Sequence, residues 1–190
     1  MSVRRLVVGI SGASGVILGV RLLELLRTLE VETHLVMSRA AILTIGQELG
    51  RPVESVKALA SVVHPPSDVG ASIASGSFKT DGMIVAPCSM RTLAAIASGV
   101  TDTLLTRAAD VVLKERRRLV LLPRETPLHL GHLRNMVAVT EMGAVVMPPV
   151  PAFYTGTSSL EAIVDQILGR ALDLFGLDCP GVVRWQGGRP

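Results

Sequence analysis

Between Leu6 and Gly15 the chain reads LVVGISGASG, an apolar run (Leu6, Val7, Val8, Ile10) that ends in small residues and passes at once into a helical pattern. A buried strand that turns sharply into a helix leaves backbone N–H groups and hydroxyls pointing outward. The helix dipole adds partial positive charge there, so such a turn suits a phosphate. The glycines fall at 9, 12 and 15, which misses the G-x-G-x-x-G spacing of dinucleotide sites. No Gly-Lys-Ser/Thr follows, so it is not a P-loop either. Hydroxyls recur where other apolar runs end: Ser38 after HLVM, then Ser89 and Thr92 in PCSMRT. Ser11, Ser14, Ser38, Ser89 and Thr92 suit helix N-caps. Their convergence on one sheet edge favours an anionic or sugar-phosphate ligand as well.

The charged residues pose similar choices. Arg107 and Lys114 lie seven apart in TRAADVVLKE, two turns along one helical face, with Asp110 between them. They make either a salt-bridged solvent face or a cationic pair. Arg124-Glu125 directly follows RLVLLP, where a carboxylate beside a guanidinium relays protons or simply pairs. Glu48 alone reads as a solvated helix-end carboxylate. Tyr154, the only tyrosine, sits in the loop PPVPAFYTGT, where a lone phenol binds a ligand or caps an interface. Arg170 stands among Ile163, Ile167, Ala171 and Leu174, where it can snorkel. His129 and His132 open a helix in LHLGHLRN; no further zinc ligands are in view, so capping or packing is the expectation. Cys88 and Cys179 have no metal-type spacing and build no disulfide framework. Nothing beyond residue types supports a Ser-His-Asp or Cys-His site.

Elements must position these groups. Apolar runs at 4–10, 32–37, 82–86, 118–123 and 143–147 read as strands. Helical patterns fall near 14–29, 39–48, 53–61, 89–98, 102–116, 129–142 and 158–175, with non-helical stretches at 64–80 and 147–157. The alternation predicts βαβ units, a parallel sheet and helices on both faces. Ligands of such sheets sit at the carboxyl ends of the strands. Here that edge holds Ser11 to Ser14, Ser38-Arg39, Pro87-Cys88-Ser89, Arg124-Glu125 and Pro148 to Tyr154.

The 190 residues suit one domain, 1–190, with an irregular tail from about residue 180. Hydrophobic residues make up 48% and charged residues 18%, which points to strands buried on both faces or a sizeable subunit interface. No apolar run reaches the ~20 residues of a membrane span. Arg4-Arg5 precedes an apolar stretch, but Gly and Ser break that stretch before a signal peptide would be complete. A soluble cytoplasmic protein is the expectation. The net charge of +3 is mild, the run Lys114 to Arg118 suits a helix end, and 3% aromatics argues against nucleic-acid binding.

Taken in order, several segments resemble the UbiX-type flavin prenyltransferases. They are Gly9 to Gly15 (GISGASG), Ser75-Gly76-Ser77-Phe78, Pro87 to Leu93 (PCSMRTL) and Arg107 to Val111 (RAADV). Leu113 to Arg117 (LKERR), Arg124 to Leu128 (RETPL) and Pro151 to Tyr154 (PAFY) complete the set. The likeness runs from about residue 4 to Trp185. It implies a three-layer αβα fold, flavodoxin-like or Rossmann-like, with a mainly parallel sheet. It implies FMN, in reduced form, as acceptor of a dimethylallyl group from dimethylallyl phosphate at flavin N5 and C6, without a metal. The product, prenylated FMN, serves UbiD-type decarboxylases. By the same resemblance Gly12, Ala13, Ser14, Ser38, Ser89, Met90, Arg91, Thr92 and Arg124 match FMN-binding positions. Tyr154 and Arg170, with Lys114, match positions that hold the dimethylallyl phosphate. Ser14, Glu48, Arg107, Lys114 and Glu125 match catalytic positions, with Glu125 expected as the base for ring closure and Glu48 as the alternative. Family members form homo-oligomers, typically dodecamers, whose sites neighbouring subunits complete. Two other readings are a non-catalytic FMN carrier or regulatory subunit of a decarboxylase and an FMN-dependent cysteine decarboxylase of related fold. The latter uses a Pro-x-Met-Asn loop where this chain has Pro87-Cys88-Ser89-Met90.

Overall fold

The computed structural model describes residues 3–187. Six strands, β1 (Arg5–Ile10), β2 (Glu32–Met37), β3 (Val62–His64), β4 (Gly82–Cys88), β5 (Arg118–Pro123) and β6 (Val145–Val146), form one parallel sheet in the order β3-β2-β1-β4-β5-β6. This is the doubly wound order of nucleotide-binding α/β folds. The helices are α1 (Ile17–Thr28), α2 (Arg39–Leu49), α3 (Val53–Lys57), α4 (Met90–Ala97), α5 (Leu104–Lys114), α6 (Leu130–Glu141) and α7 (Leu160–Asp173). Short 3₁₀ turns at Ser72–Ala74 and Phe153–Thr155 interrupt the two long connections.

The central strands β1, β4 and β5 are mostly apolar because both of their faces are covered. Leu6, Val8 and Ile10 of β1 join Leu35, Ile84 and Val120 in a core roofed by α1, α2, α3 and α7. The alternate residues Val7, Val36, Met83, Val85, Leu119 and Leu121 form a second core under α4, α5 and α6. A period-2 side-chain alternation thus feeds two cores from one sheet. In α1, Leu22, Leu23 and Leu26 are fully buried, and each contributes about 1.5–3 kcal/mol relative to exposure. Gly19 lets α1 approach the sheet closely, since a Cβ there would lie 2.4 Å from the Ala86 carbonyl oxygen.

Every strand expected from the sequence forms, although the 143–147 run contributes only Val145–Val146. One strand is additional: β3 lies in a stretch read as connection. It is three residues long and sits at the sheet edge, with Val62 and Val63 each 38% exposed, so it lacks the apolar run that marks the others. The segment after Pro180 carries no helix or strand up to Gly187 and folds back on α7, where Val183 and Gln166 exchange hydrogen bonds of 2.8 and 2.9 Å.

Candidate active site

The strand order reverses between β1 and β4, so the crevice beyond their carboxyl ends is where such folds take ligands. Ser11 closes the gap between the two strands. Its side chain is fully buried; the hydroxyl donates to the Pro87 carbonyl at 2.9 Å and accepts the Ser89 N–H at 2.7 Å. The sequence counts Ser11 among the hydroxyls offered to an anion. The structure commits it to the protein instead, because both sides of the hydroxyl are used.

Beside this clamp lies a cleft of about 610 Å³, within the ~300–1,000 Å³ range of small-molecule sites. Gly12, Ser38, Arg39 and Ala40 line one side, Ser89, Met90 and Arg91 another, and Pro66, Ser67, Asp102, Thr103, Leu105 and Glu125 complete it. Three helices begin on its rim. Ser38 caps α2 by accepting the Ala41 N–H at 3.1 Å, and Ser89 caps α4 by accepting the Thr92 N–H at 3.3 Å. Thr103 and Thr106 form a reciprocal capping box at the start of α5. The capping reading of Ser38 and Ser89 therefore holds, and it turns three positive helix ends toward one space. Gly12 belongs to the same wall. A Cβ there would come within 2.3 Å of the Ala40 side chain, so only glycine lets β1's turn pack on the start of α2.

The α1 terminus is arranged differently from the phosphate turn that the sequence leads one to expect. Val16 gives α1 no side-chain cap. The Glu48 carboxylate supplies one, accepting the Gly15 N–H at 2.9 Å and the Val16 N–H at 3.2 Å. Glu48 is exposed, as a helix-end carboxylate is expected to be, but it also has a partner in the protein. It fills the anion position of α1, which leaves the ends of α2, α4 and α5 to a ligand. Burial pushes its carboxyl up, but hydrogen bonds from Ser14, Gly15 and Val16, with the Arg124 charge nearby, outweigh that and hold it below the usual carboxylate range. Ser14, Glu48 and Arg124 therefore form one cluster beside the cleft. Glu125 lines the cleft with its carboxylate turned back on the Thr126 N–H at 3.0 Å, so it neither pairs with Arg124 nor caps a helix.

The remaining candidates lie elsewhere on the chain. Arg107 pairs with Asp110 at 2.6 Å on the outer face of α5. Lys114 ends that helix and is paired with Glu115. Ten residues of α5 rise separate Lys114 from the cleft rim at Leu104, about 15 Å. Tyr154 stacks edge-on against Trp185 and donates weakly to the Val183 carbonyl at 3.4 Å. Arg170 bonds Asp173 at 2.6 Å, and Arg184 of the C-terminal segment holds the same carboxylate. In one chain the cleft group is brought together, whereas Lys114, Tyr154 and Arg170 are not, and Arg107 stands one turn into α5 beside the lining residues Thr103 and Leu105.

Two further groups fall outside the chemistry. The Cys88 thiol is fully buried, and desolvation pushes its pKa up to about 12, so it remains protonated. His129 accepts the Gly131 N–H at 3.0 Å and stacks on His132, as the capping reading expects. Asp102, Thr103 and Pro66 were not singled out by type or spacing; the helical pattern near 102–116 marked only where α5 would begin.

Comparison with known proteins agrees with this geometry. Residues 1–172 match the family model described as Flavoprotein. The chain is 60% identical to the flavin prenyltransferase UbiX of Neisseria meningitidis serogroup B over 185 residues, covering 97% of this chain and 98% of that protein. It belongs to the UbiX flavin prenyltransferase family. A crystal structure of AnUbiX (PadA1) in complex with FMN and dimethylallyl pyrophosphate superposes with a TM-score of 0.97 at 56% identity, over 99% of this chain and 100% of that one. A dodecameric FMN-dependent UbiX-like decarboxylase from Escherichia coli O157:H7 superposes with a TM-score of 0.94 at 54% identity, over 96% and 100% of the two chains. The three-layer α/β architecture is that of the family, and the cleft at the β1–β4 switch point is the place this fold offers to a flavin nucleotide. No helix among the described residues is long and apolar enough to cross a membrane.

Proposed function

We propose that this UbiX family member is a flavin prenyltransferase. It moves a dimethylallyl group from dimethylallyl phosphate to N5 and C6 of reduced FMN, giving prenylated FMN. The observation that carries this reading is the convergence of the α2, α4 and α5 N-termini on the switch-point cleft, with Gly12 permitting a close backbone wall. The cradle fits a nucleotide phosphate and a planar ring system. Gly12, Ala13, Ser14, Ser38, Ser89 to Thr92 and Arg124 would hold FMN there.

Bound reduced FMN supplies an electron-rich ring as the prenyl acceptor. The chain's own residues do the rest. Breaking the allylic C–O bond places negative charge on the departing phosphate. Lys114, Arg107, Arg170 and the Tyr154 hydroxyl neutralise that charge, with Ser14 adding a hydrogen bond. Closure at C6 frees a proton from an aromatic carbon, and Glu125 takes it. Its place on the cleft wall supports this role, whereas Glu48 is already engaged by two backbone N–H groups.

Of the four phosphate-binding residues, Lys114, Tyr154 and Arg170 lie outside the cleft lining of their own chain, which favours a homo-oligomer in which they serve the cleft of another copy. A dodecamer, as described for the 54% identical protein, is our reading. The whole chain, 1–190, acts as one flavoprotein domain in the cytoplasm, a setting that suits its buried, unpaired Cys88 and Cys179. A UbiD-type decarboxylase is the expected recipient of the product.

The test is anaerobic incubation with reduced FMN and either dimethylallyl phosphate or the diphosphate, followed by mass spectrometry of the flavin. One added C5 unit supports the proposal, and the better donor identifies the substrate. Absence of the addition with both donors overturns it, and bound but unaltered flavin favours a carrier instead.

A further inference from the structure

Only Glu115, Arg116 and Arg117 separate Lys114, the last residue of α5, from the start of β5 at Arg118. Arg116 takes the left-handed conformation, with φ of 56°. Its N–H bonds the Leu113 carbonyl at 3.0 Å, and the Arg117 N–H bonds the Val112 carbonyl at 2.9 Å. This is the Schellman closure of a helix, a place glycine usually fills. It turns the chain back sharply and leaves Arg117 beside the ion pair of Lys114 and Glu115. The Arg117 side chain is only 17% exposed. Its guanidinium is spent on the backbone of the 64–80 connection, Nη2 donating to the Gly76 carbonyl at 2.6 Å and Nη1 to the Phe78 carbonyl at 2.7 Å. Two carbonyls held at once match the planar fork of an arginine, which a lysine does not reproduce. The Phe78 N–H closes the gripped turn on the Ser75 carbonyl at 3.2 Å, and the Phe78 ring packs against His34 and the Arg5 guanidinium.

Gly76 stands at the centre of this contact. A Cβ there would fall on the Glu115 carboxylate and 2.7 Å from Lys114 Nζ, so the Gly76 backbone rests directly on the ion pair. The hydrogen bond and charge of Lys114, helped by the Arg117 charge 4.0 Å away, hold the Glu115 carboxyl below the usual carboxylate range and keep it an anion. We infer that Arg117 is a positioning residue for Lys114: by gripping the Gly76 and Phe78 carbonyls it fixes the turn on which the Lys114 ammonium and its Glu115 partner rest. A lysine at a free helix end samples many rotamers, and ordering it costs part of the affinity of any anion it binds. One held between a carboxylate and a backbone wall meets a phosphate with that cost already met. Because the fork of Arg117 is occupied by the two carbonyls, its effect on the phosphate passes through Lys114. The inference rests on the proposed role of Lys114 toward dimethylallyl phosphate.

Calorimetric titration of dimethylallyl phosphate into the full chain loaded with oxidised FMN tests this, since the oxidised flavin is not alkylated and binding is read alone. Quenching of flavin fluorescence reads FMN affinity alongside. Arg117→Ala frees the turn. Gly76→Ala keeps both carbonyl bonds and displaces only the flexible ends of Lys114 and Glu115, so it tests the same contact without loosening the loop. Each is expected to weaken dimethylallyl phosphate binding about ten-fold, the scale of one coupled charged contact. FMN affinity should stay within about two-fold, because residues 75–78 lie outside the cleft lining. Arg117→Lys, which keeps the charge and one bond, should lose less. In a Lys114→Met background neither Arg117→Ala nor Gly76→Ala should cost more than about two-fold, since the group they position is gone. Unchanged binding in both single variants, or a loss that persists in the Lys114→Met background, overturns the positioning role and leaves prenyl transfer standing. A wild-type chain that binds dimethylallyl phosphate and shows the expected losses, yet adds no prenyl group to reduced FMN, supports the positioning role and overturns the transfer. A wild-type chain that does neither overturns both.

Discussion

Replacing Ser11 with alanine removes a buried side-chain link between the carboxyl ends of β1 and β4. The Pro87 carbonyl keeps a bond from the Ser11 backbone N–H at 3.2 Å, so the group left without its partner is the Ser89 N–H. An unmade hydrogen bond at a buried donor costs about 1–3 kcal/mol. Ser89 is only half-buried and water can reach it, which places the loss in the lower part of that range, about 1–2 kcal/mol. Ser89 is also the cap of α4 and part of the cleft wall, so the same loosening reaches the ligand. At 1.4 kcal/mol per factor of ten, FMN affinity is expected to fall about ten-fold. Denaturant unfolding reads the stability, and quenching of flavin fluorescence reads the affinity. Ile167→Val, in the core beneath α7, is a matched control. It costs about 0.5–1.5 kcal/mol and is expected to leave FMN affinity unchanged. If Ser11→Ala loses stability yet binds FMN like the wild type, the hydroxyl only holds the fold together, and the argument that it sets the crevice is refuted.

Other outcomes follow from the same geometry. Glu125→Gln should bind FMN normally but slow ring closure by at least about 100-fold, the scale of a lost general base; rapid-quench analysis that finds unchanged closure removes Glu125 from the role. Glu48→Gln exchanges a charged cap of α1 for a neutral one and should lower stability by about 1 kcal/mol near neutral pH. Because the folded state depresses the Glu48 carboxyl, this stabilisation is full above the ordinary carboxylate range and fades as pH falls, so wild type and variant should converge in acid. Under the 64–80 loop, His34 joins His64 at 2.9 Å and Glu32 at 2.8 Å. A hydrogen bond from Arg5, with one from His34, takes the Glu32 carboxyl down to about 2, and desolvation followed by the neighbouring His34 lowers His64. Both groups stabilise the fold at higher pH. The thermal midpoint should therefore begin to drop below about 6.5 as His64 is forced to charge, and drop again from about 4.5 toward 2 as Glu32 protonates. Calorimetry of His64→Gln should lack the first step; its persistence there assigns that step to another group.

The sheet was legible because its strands are buried on both faces, which leaves continuous runs such as LVVGI and RLVLL with turn residues at their ends. The edge strand Val62–His64 has neither burial nor length, and it hid among loop residues. At the cleft, Ser38 and Ser89 were readable as helix starts, since an N-cap is a local matter of a short polar side chain ahead of an apolar period. Ser11 and Glu48 were not. The role of Ser11 depends on which strand lies beside β1, and that is Pro87 and Ser89, more than seventy residues along the chain. Glu48 reaches Gly15 from 33 residues away, and no spacing rule joins a helix's last turn to the first turn of an earlier one. Arg107, Lys114, Tyr154 and Arg170 could be named by resemblance, but the separation of the last three from the cleft is a property of the folded chain alone.

The central claim, that the flavin is alkylated at N5 and C6 in this cleft, is tested most directly by following labelled carbon. Isotopically labelled dimethylallyl phosphate and reduced FMN would be turned over by the protein without oxygen, and the flavin product examined by NMR. The account predicts labelled carbons bonded to both N5 and C6, and none on the flavin when Glu125 and Lys114 are both replaced by alanine. Label recovered only as dimethylallyl alcohol, or attached at another flavin position, would contradict it.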